Sequence, residues 1–309
     1  TTLPVHFLRQ LDKGDARPDK QGREGYTVPL VTAKEIMERA DRDGYAIGAF
    51  NVESLESVEA VIDAAEAERS PVIIAVGQGA LAQARLPVIA DMVKSIARST
   101  NVPAALHLDH GTSFEQAVQC IREGFTSIMI DGSRLPFEEN VRLVAKVVAV
   151  ADTVGVPVEG ELGQIGGTED LLEVSDEMAG LTDPETVVPF VTQTGVTSLA
   201  ISIGTAHGLY KREPRLRFDL LEQINRLTPT LLVLHGGSGV PDEAIRRAIS
   251  LGINKINVAT ELRVAYTKAA IQVIKPEEGN LPKVMAAGRA AMREVVRGKM
   301  RLFGSSGKA

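Results

Sequence analysis

The chain of 309 residues has no tryptophan, one cysteine, and an aromatic content of only 4%. A single thiol excludes an internal disulfide, and Cys120 lies inside a helical pattern rather than beside a histidine pair or a second thiol, so the chain reads as cytoplasmic. No apolar run is long enough to span a bilayer, and the first residues lack the charged-then-apolar layout of a signal peptide, which removes the membrane as an expected partner. Basic blocks are also missing. With 34 basic against 40 acidic residues the net charge is -6, and no basic stripe is interleaved with aromatics, so nucleic acid is not an expected partner either.

What is present is a hydrophobic fraction of 44%, enough for one large core in one domain. Residues 1–31 are rich in Gly, Pro and charge without a sustained period and are expected to form an N-terminal extension, leaving 32–309 as the domain. Thr32-Ala-Lys-Glu35 is a capping box that opens a helix running toward Gly44. Short apolar runs then recur at 46–50, 72–76, 104–108, 127–130, 156–162, 198–203, 231–234 and 255–258. Between them lie helical patterns expected to span 11 residues or more, with start signals at Ser113-Phe-Glu-Gln116, Asp183-Pro184-Glu185 and Val240-Pro241-Asp242. Eight such units predict an α/β fold of the (β/α)8 TIM-barrel type, followed by a last helix near 285–303 and a mobile polar tail, Gly304-Ser-Ser-Gly-Lys308.

On that reading the polar residues gather at the C-terminal ends of the strands, where barrel active sites are built. Asp109 and His110 end the third strand, Asp131 the fourth and Glu161 the fifth; His207 follows the sixth, His235 ends the seventh, and Asn257 to Thr260 end the eighth. Three histidines on separate strand ends, out of five in the chain, suit a catalytic zinc with an open coordination position; the competing reading is that each merely satisfies a loop backbone. His107 shares strand parity with Asp109 and is expected to point into the barrel, supporting the site or the core rather than binding metal. Gly204-Thr-Ala-His207-Gly208 and His235-Gly236-Gly-Ser238-Gly239 are expected to bring backbone N–H groups, with the hydroxyls of Ser238 and Thr260, close to a phosphate. Asp109 is a proton-transfer candidate and Asp131 a carboxylate that orients a histidine, while Glu169 lies on a loop beyond the fifth strand from which a mobile carboxylate could take a carbon-bound proton.

Leu-His-Leu-Asp109-His110-Gly, Glu159-Gly-Glu161-Leu-Gly, Gly-Thr-Ala-His207-Gly-Leu-Tyr, Leu-His235-Gly-Gly-Ser-Gly and Lys-Ile-Asn257-Val-Ala-Thr260-Glu together resemble the class II, zinc-dependent ketose-bisphosphate aldolases. The likeness runs from about Thr32 to Lys308. Residues 181–210 and 257–262 look most like the tagatose-bisphosphate branch, and 304–309 like bacterial fructose-bisphosphate and inositol-pathway aldolases. The resemblance implies a cytoplasmic lyase of carbohydrate metabolism, a homodimer or homotetramer, that binds Zn2+ through His110, His207 and His235 with Glu161 able to approach. It implies Asp109 as acid/base at the C4 oxygen, Glu169 as the base at the ketose carbon, and Asn257 against the enediolate. Asn51 would bind substrate, and Gly208, Gly236, Ser238 and Thr260 would hold the C1 phosphate, with a Na+ or K+ ion nearby. The expected reaction cleaves a ketose 1,6-bisphosphate reversibly to dihydroxyacetone phosphate and glyceraldehyde 3-phosphate. Lys255 stands on a strand and could mimic the Schiff-base lysine of the other aldolase class, but that would leave the histidines without a purpose.

One stretch departs from the family. Many relatives carry Asp-Pro-Arg before the last helix, whose arginine helps hold the second phosphate; here the stretch reads Asn280-Leu-Pro282-Lys283, and a lysine lacks the bidentate fork. A ketose 1-phosphate with a different C6 group is therefore the alternative substrate, with a zinc-dependent phosphosugar isomerase or hydrolase, or a non-catalytic sugar-phosphate binder, as more distant readings.

Overall fold

The near-continuous apolar runs, Val72-Ile-Ile-Ala-Val76 among them, are what a parallel strand buried on both faces requires. In the computed structural model, which describes residues 30–169, 172–174, 180–208, 210 and 213–309, they form a closed barrel of eight parallel strands. These are β1 (Ile47–Asn51), β2 (Val72–Val76), β3 (Ala104–Gly111), β4 (Ser127–Ile130), β5 (Val158–Leu162), β6 (Ser198–Ile201), β7 (Leu231–Leu234) and β8 (Ile253–Val258). Neighbours in the ring are neighbours in sequence, and the ring closes where β1 meets β8, with Ile47 opposite Lys255 and Phe50 opposite Val258. The expected extension lies outside the described residues except for Leu30, which packs on the core, and Val31, whose N–H donates to the Ala104 carbonyl at 2.9 Å.

Among the described residues, eleven α-helices accompany the strands: α1 (Ala33–Asp43), α2 (Leu55–Glu68), α3 (Gln78–Gln83), α4 (Leu86–Ala97), α5 (Phe114–Arg122), α6 (Phe137–Ala151), α7 (Pro184–Thr194), α8 (Phe218–Leu227), α9 (Asp242–Ser250), α10 (Thr260–Val273) and α11 (Leu281–Phe303). Thr32 and Glu35 form the expected capping box of α1, which ends at Gly44 in the left-handed region. In three of the gaps the helix falls short of the expected 11 residues, since α5, α8 and α9 span 9, 10 and 9. Their stops are local. Gly124 and Gly252 take φ of 85° and 106° just past α5 and α9, and Pro229 disfavours helix at Thr228 beyond α8. Helix α11 starts earlier than expected, at Leu281, because Asn280 caps it by accepting from the Lys283 N–H at 3.2 Å; Lys283 thus belongs to the first turn of the helix rather than to a loop before it.

Two packing layers hold this arrangement. Across the N-terminal end of the barrel, Ile36, Met37 and Ala40 of α1 meet the inward residues Ala49, Ile73, Ala105, Met129 and Val233, so that α1 plugs the ring. On the outside, α11 lies against α2 and is tied to it by charge: Glu68 accepts from Arg297 Nε at 2.8 Å and from Arg301 Nη2 and Nε at 2.5 and 3.0 Å. The polar tail is docked rather than mobile. Ser305 is fully buried with its hydroxyl 2.8 Å from that of Ser70, and the Gly307 and Ala309 N–H groups donate to the Glu68 and Arg69 carbonyls at 2.8 and 2.9 Å.

The Glu68 clamp makes a testable prediction. Hydrogen bonds from Arg301 hold the Glu68 carboxyl at about 2, below its ordinary 4.5; burial opposes this, and Arg297 and Ser306 add to the lowering. Its contribution is present in full above pH 4.5 and is lost as pH falls from there toward 2, because only the unfolded chain then takes up the proton. Glu68→Gln is expected to lower stability at neutral pH by about 1–2 kcal/mol, a value kept small by the exposure of Arg301, and to flatten the acid limb in urea titrations between pH 5 and 3. An unchanged acid limb would contradict it.

Candidate active site

Alternation along a strand puts neighbouring side chains on opposite faces, so Asp109 and His110 should not both enter one pocket. They do so because β3 is irregular at its end. The β3–β4 register slips between Leu108 and Gly111, and His110 takes a left-handed φ of 47°, which re-aims its ring toward the pocket. Such a conformation costs a non-glycine residue on the order of 1 kcal/mol, and it is held by the Gln78 amide, which donates to the His110 carbonyl at 2.8 Å. Gln78 is itself paired with Gln116 of α5, at 2.9 Å.

His110, His207 and His235 converge, with ring centroids 4.7 to 5.8 Å apart. Among the described residues, two groups bring ligand atoms within 4.8 Å of one another, these three histidines and the set of His110, Asp131 and Glu161. Carboxylates fix the tautomers. The His110 Nδ1–H faces Asp131 Oδ2 at 3.0 Å, and the His235 Nε2–H faces Glu159 Oε1 at 3.0 Å. The remaining ring nitrogens, His110 Nε2 and His235 Nδ1, therefore present lone pairs to each other at 3.0 Å. Two facing lone pairs repel unless a cation lies beside them, and burial lowers the pKa of His235, which disfavours a proton there. Glu161 Oε2 is buried without a hydrogen-bond partner, 3.9 Å from His110 Nδ1. Burial, and then the charge of Asp131, raise the Glu161 carboxyl well above the usual range. Three imidazole nitrogens and a carboxylate in need of positive charge are a donor set that fits zinc.

Beneath the histidines lies a network that composition does not announce. Lys255 is fully buried inside the barrel, donating to both Glu159 oxygens at 2.8 and 3.0 Å, with His107 Nε2 at 3.2 Å. Burial works against the Glu159 charge, yet Lys255 and His235 hold the carboxyl well below its ordinary range. His107 points inward as expected, its Nδ1 on the Ser127 hydroxyl at 2.8 Å; burial and then Lys255 push its pKa down to about 3, so it stays neutral. Lys255 is thus an ion-pair partner, not a free amine. Asp109 is similarly framed, accepting from the Asn51 amide at 2.8 Å and the Asn257 amide at 3.0 Å, one on each oxygen.

The glycine turns differ in part from expectation. The Gly237 N–H donates to the Asn257 carbonyl at 3.0 Å and the Gly239 N–H to the Glu261 carboxylate, so two amides of the turn serve the protein itself. Glu261 is neutralised by Lys299 at 2.8 Å, and the Glu261 N–H meets the Ser238 hydroxyl at 3.2 Å. Gly208, Gly236, Ser238 and the half-buried Thr260, first residue of α10, border the same end of the barrel. Glu169 was expected on a loop; its backbone instead ends a short strand, Gly166–Glu169, paired antiparallel with Leu172–Val174 and parallel with Ala206–His207. Its side chain lies outside what the structure describes, as do residues 170–171 and 175–179.

Because Lys255 is fully buried, Glu159→Gln is expected to cost about 3–5 kcal/mol in urea unfolding, whereas replacing both Glu159 by Gln and Lys255 by Met restores most of the loss. A single variant as stable as the parent would show that the pair does not support the site.

Comparison with known proteins agrees with this geometry. The model of the class-II fructose-bisphosphate aldolase family matches residues 31–308. The chain is 47% identical to a fructose-bisphosphate aldolase of Geobacillus stearothermophilus over 91% of this chain and 99% of that one. It is 42% identical, over 91% and 99%, to a sulfofructosephosphate aldolase of Alkalicoccus urumqiensis. Among solved structures it resembles the YdjI aldolase from Escherichia coli K12, with a TM-score of 0.81, 36% identity and coverage of 91% and 99%. A metal-ready histidine cluster at the mouth of a (β/α)8 barrel and a match over nearly its whole length lead to one conclusion: the chain belongs to the class II fructose-bisphosphate aldolases and is an aldolase, a lyase.

Proposed function

We propose that this aldolase cleaves a ketose 1,6-bisphosphate of the tagatose or fructose type, reversibly and with zinc, to dihydroxyacetone phosphate and glyceraldehyde 3-phosphate. The observation that carries the metal is the pair of facing lone pairs on His110 and His235, with His207 beside them. Bound zinc would draw electron density from the ketone oxygen and stabilise the charge left when the adjacent carbon loses its proton. His110, His207 and His235 hold it, Glu161 is within reach, and Asp131 fixes the His110 tautomer. Glu169, carried on the strand next to His207, takes the proton from the ketose carbon.

Asp109 exchanges a proton with the C4 oxygen. With the Asn51 and Asn257 amides engaged by Asp109, the carbonyl oxygens of both asparagines are buried without hydrogen-bond partners, and they accept from hydroxyls of the substrate. Asn257 on this reading meets the enediol through a hydroxyl hydrogen. Gly208, Gly236, Ser238 and Thr260 hold the C1 phosphate, with a monovalent cation beside them, and residues 32–309 act as one unit with 1–31 outside it. The enzyme works in the cytoplasm as a homodimer or homotetramer.

A second reading concerns the half of the substrate beyond the cleaved bond. Lys283 lies in the stretch where the family resemblance implies an arginine, and one relative is named a sulfofructosephosphate aldolase, which favours a ketose 1-phosphate bearing another anionic group at C6.

A panel of fructose 1,6-bisphosphate, tagatose 1,6-bisphosphate and ketose 1-phosphates varied at C6, assayed for released dihydroxyacetone phosphate, separates the two. Cleavage of at least one, lost on chelation and restored by Zn2+ in a buffer free of Na+ and K+ or on their return, is expected. No cleavage of any member with zinc present would end the proposal. Asp109→Asn is expected to lower kcat about 10²–10⁴-fold with bound zinc unchanged; a variant with full turnover would remove Asp109 from the chemistry.

A further inference from the structure

The two turns that carry His207 and His235 are joined by a side chain that the mechanism above does not use. Tyr210 sends its hydroxyl between them. The oxygen accepts from the Ala206 N–H at 2.8 Å, one residue before His207, and its hydrogen goes to the Gly236 carbonyl at 2.8 Å, one residue after His235. Both bonds run to backbone, so they fix the course of the chain rather than a rotamer. The turns also touch directly. Gly236 takes φ of 66°, and a Cβ there would lie 2.5 Å from the Ala206 carbonyl oxygen, so only glycine lets the backbones approach this closely.

The connection continues past the histidines. Ala206 and His207 pair with Gly166 and Gly167, and that strand ends at Glu169. A Cβ on Gly167 would collide with the His207 backbone, so this second contact is equally close. One hydroxyl thus stands at the junction of three segments: the turn of His235, the strand of His207, and the strand that carries Glu169. It cannot serve as a proton donor to substrate, because its single hydrogen is committed to Gly236.

We propose that Tyr210 is a positioning residue that sets the separation of His207 and His235 and, through the Ala206–His207 strand, keeps the Glu169 strand in place beside them. The proposal rests on the zinc-site reading given above. A phenylalanine at 210 would retain the ring, which packs against Gly239, and would leave the Ala206 N–H and the Gly236 carbonyl without their partner. The turns would then be free to separate.

Tyr210→Phe tests this with two measurements that do not depend on turnover. Zinc affinity, measured by competition with a chromophoric chelator, is expected to fall about 10–100-fold. Amide hydrogen exchange of the metal-free protein is expected to quicken about tenfold at 166–169, 206–208 and 236–237, while β2 and β4 keep the protection of the parent. A general loss of stability would instead speed exchange in β2 and β4 as well, and that result, or zinc binding within about twofold of the parent together with unchanged exchange, overturns the proposal. If the parent itself takes up no zinc, the metal reading fails, and the exchange comparison still decides the role of Tyr210. Should the Phe variant not fold, Gly236→Ala forces the turns apart with the hydroxyl intact. Faster exchange reaching 166–169 is then expected, and exchange confined to 235–239 would refute the coupling.

Discussion

Two ring nitrogens, His110 Nε2 and His235 Nδ1, face each other at 3.0 Å in the interior of a barrel, and much of the structure is arranged to keep them there. Each imidazole is locked by a carboxylate on its far side, Asp131 for one and Glu159 for the other. A buried carboxylate in turn needs a cation, and Lys255 supplies it from the opposite wall of the ring. His107 completes that layer as a neutral imidazole, kept so by burial and by the lysine next to it. The bulge at the end of β3, the left-handed His110 and the Gln78 amide behind it serve the same end, because without them His110 would face the helices. Charge that is unfavourable in isolation is thus arranged in alternating layers down the axis of the barrel.

Much of this was legible in the sequence, for physical reasons that differ from element to element. The eight apolar runs are local signals of burial on both faces, and each became a strand within two residues of its expected start. Thr32 with Glu35, Ser113 and Asp183 announce helix starts because the cap and the amide it accepts from are neighbours in sequence. What escaped involves partners far apart. Glu159 and Lys255 are 96 positions apart, and nothing local marks their pairing, although parity with Glu161 and Asn257 points both into the ring. The bulge at His110 replaces alternation with a conformation that no period encodes. Gly239 looked available for an anion because Glu261, which takes its N–H, lies on the following helix. Ser305 and its neighbours read as a free tail from their polarity, while the Gly307 and Ala309 N–H groups are in fact spent on the Glu68 and Arg69 carbonyls and the Ser305 hydroxyl on that of Ser70.

On the proposed reading, the residues that cleave the bond and those that meet the far end of the substrate stand on different parts of the fold. His110, His235, Asp109 and its two asparagines stand at or next to the ends of barrel strands, where the barrel fixes position, and His207 stands on the short strand paired with that of Glu169. Lys283 stands on the first turn of the final helix, an element a relative can alter without disturbing the ring. Members of one family can in this way share the cleaved bond and differ in the far end of the molecule they accept.

Helix α1 bears on how the chain comes together. It is the first described helix, yet its apolar face is completed by Val233 on β7, and its Asp41 accepts from the Asn254 side chain on β8 at 2.8 Å, 213 positions away. Closing a loop of that length carries an entropic cost that only the nearly finished ring can offset. Of the helices described, the one that emerges earliest in synthesis therefore completes its packing only with β7 and β8, and until they arrive part of its apolar face lacks its partner.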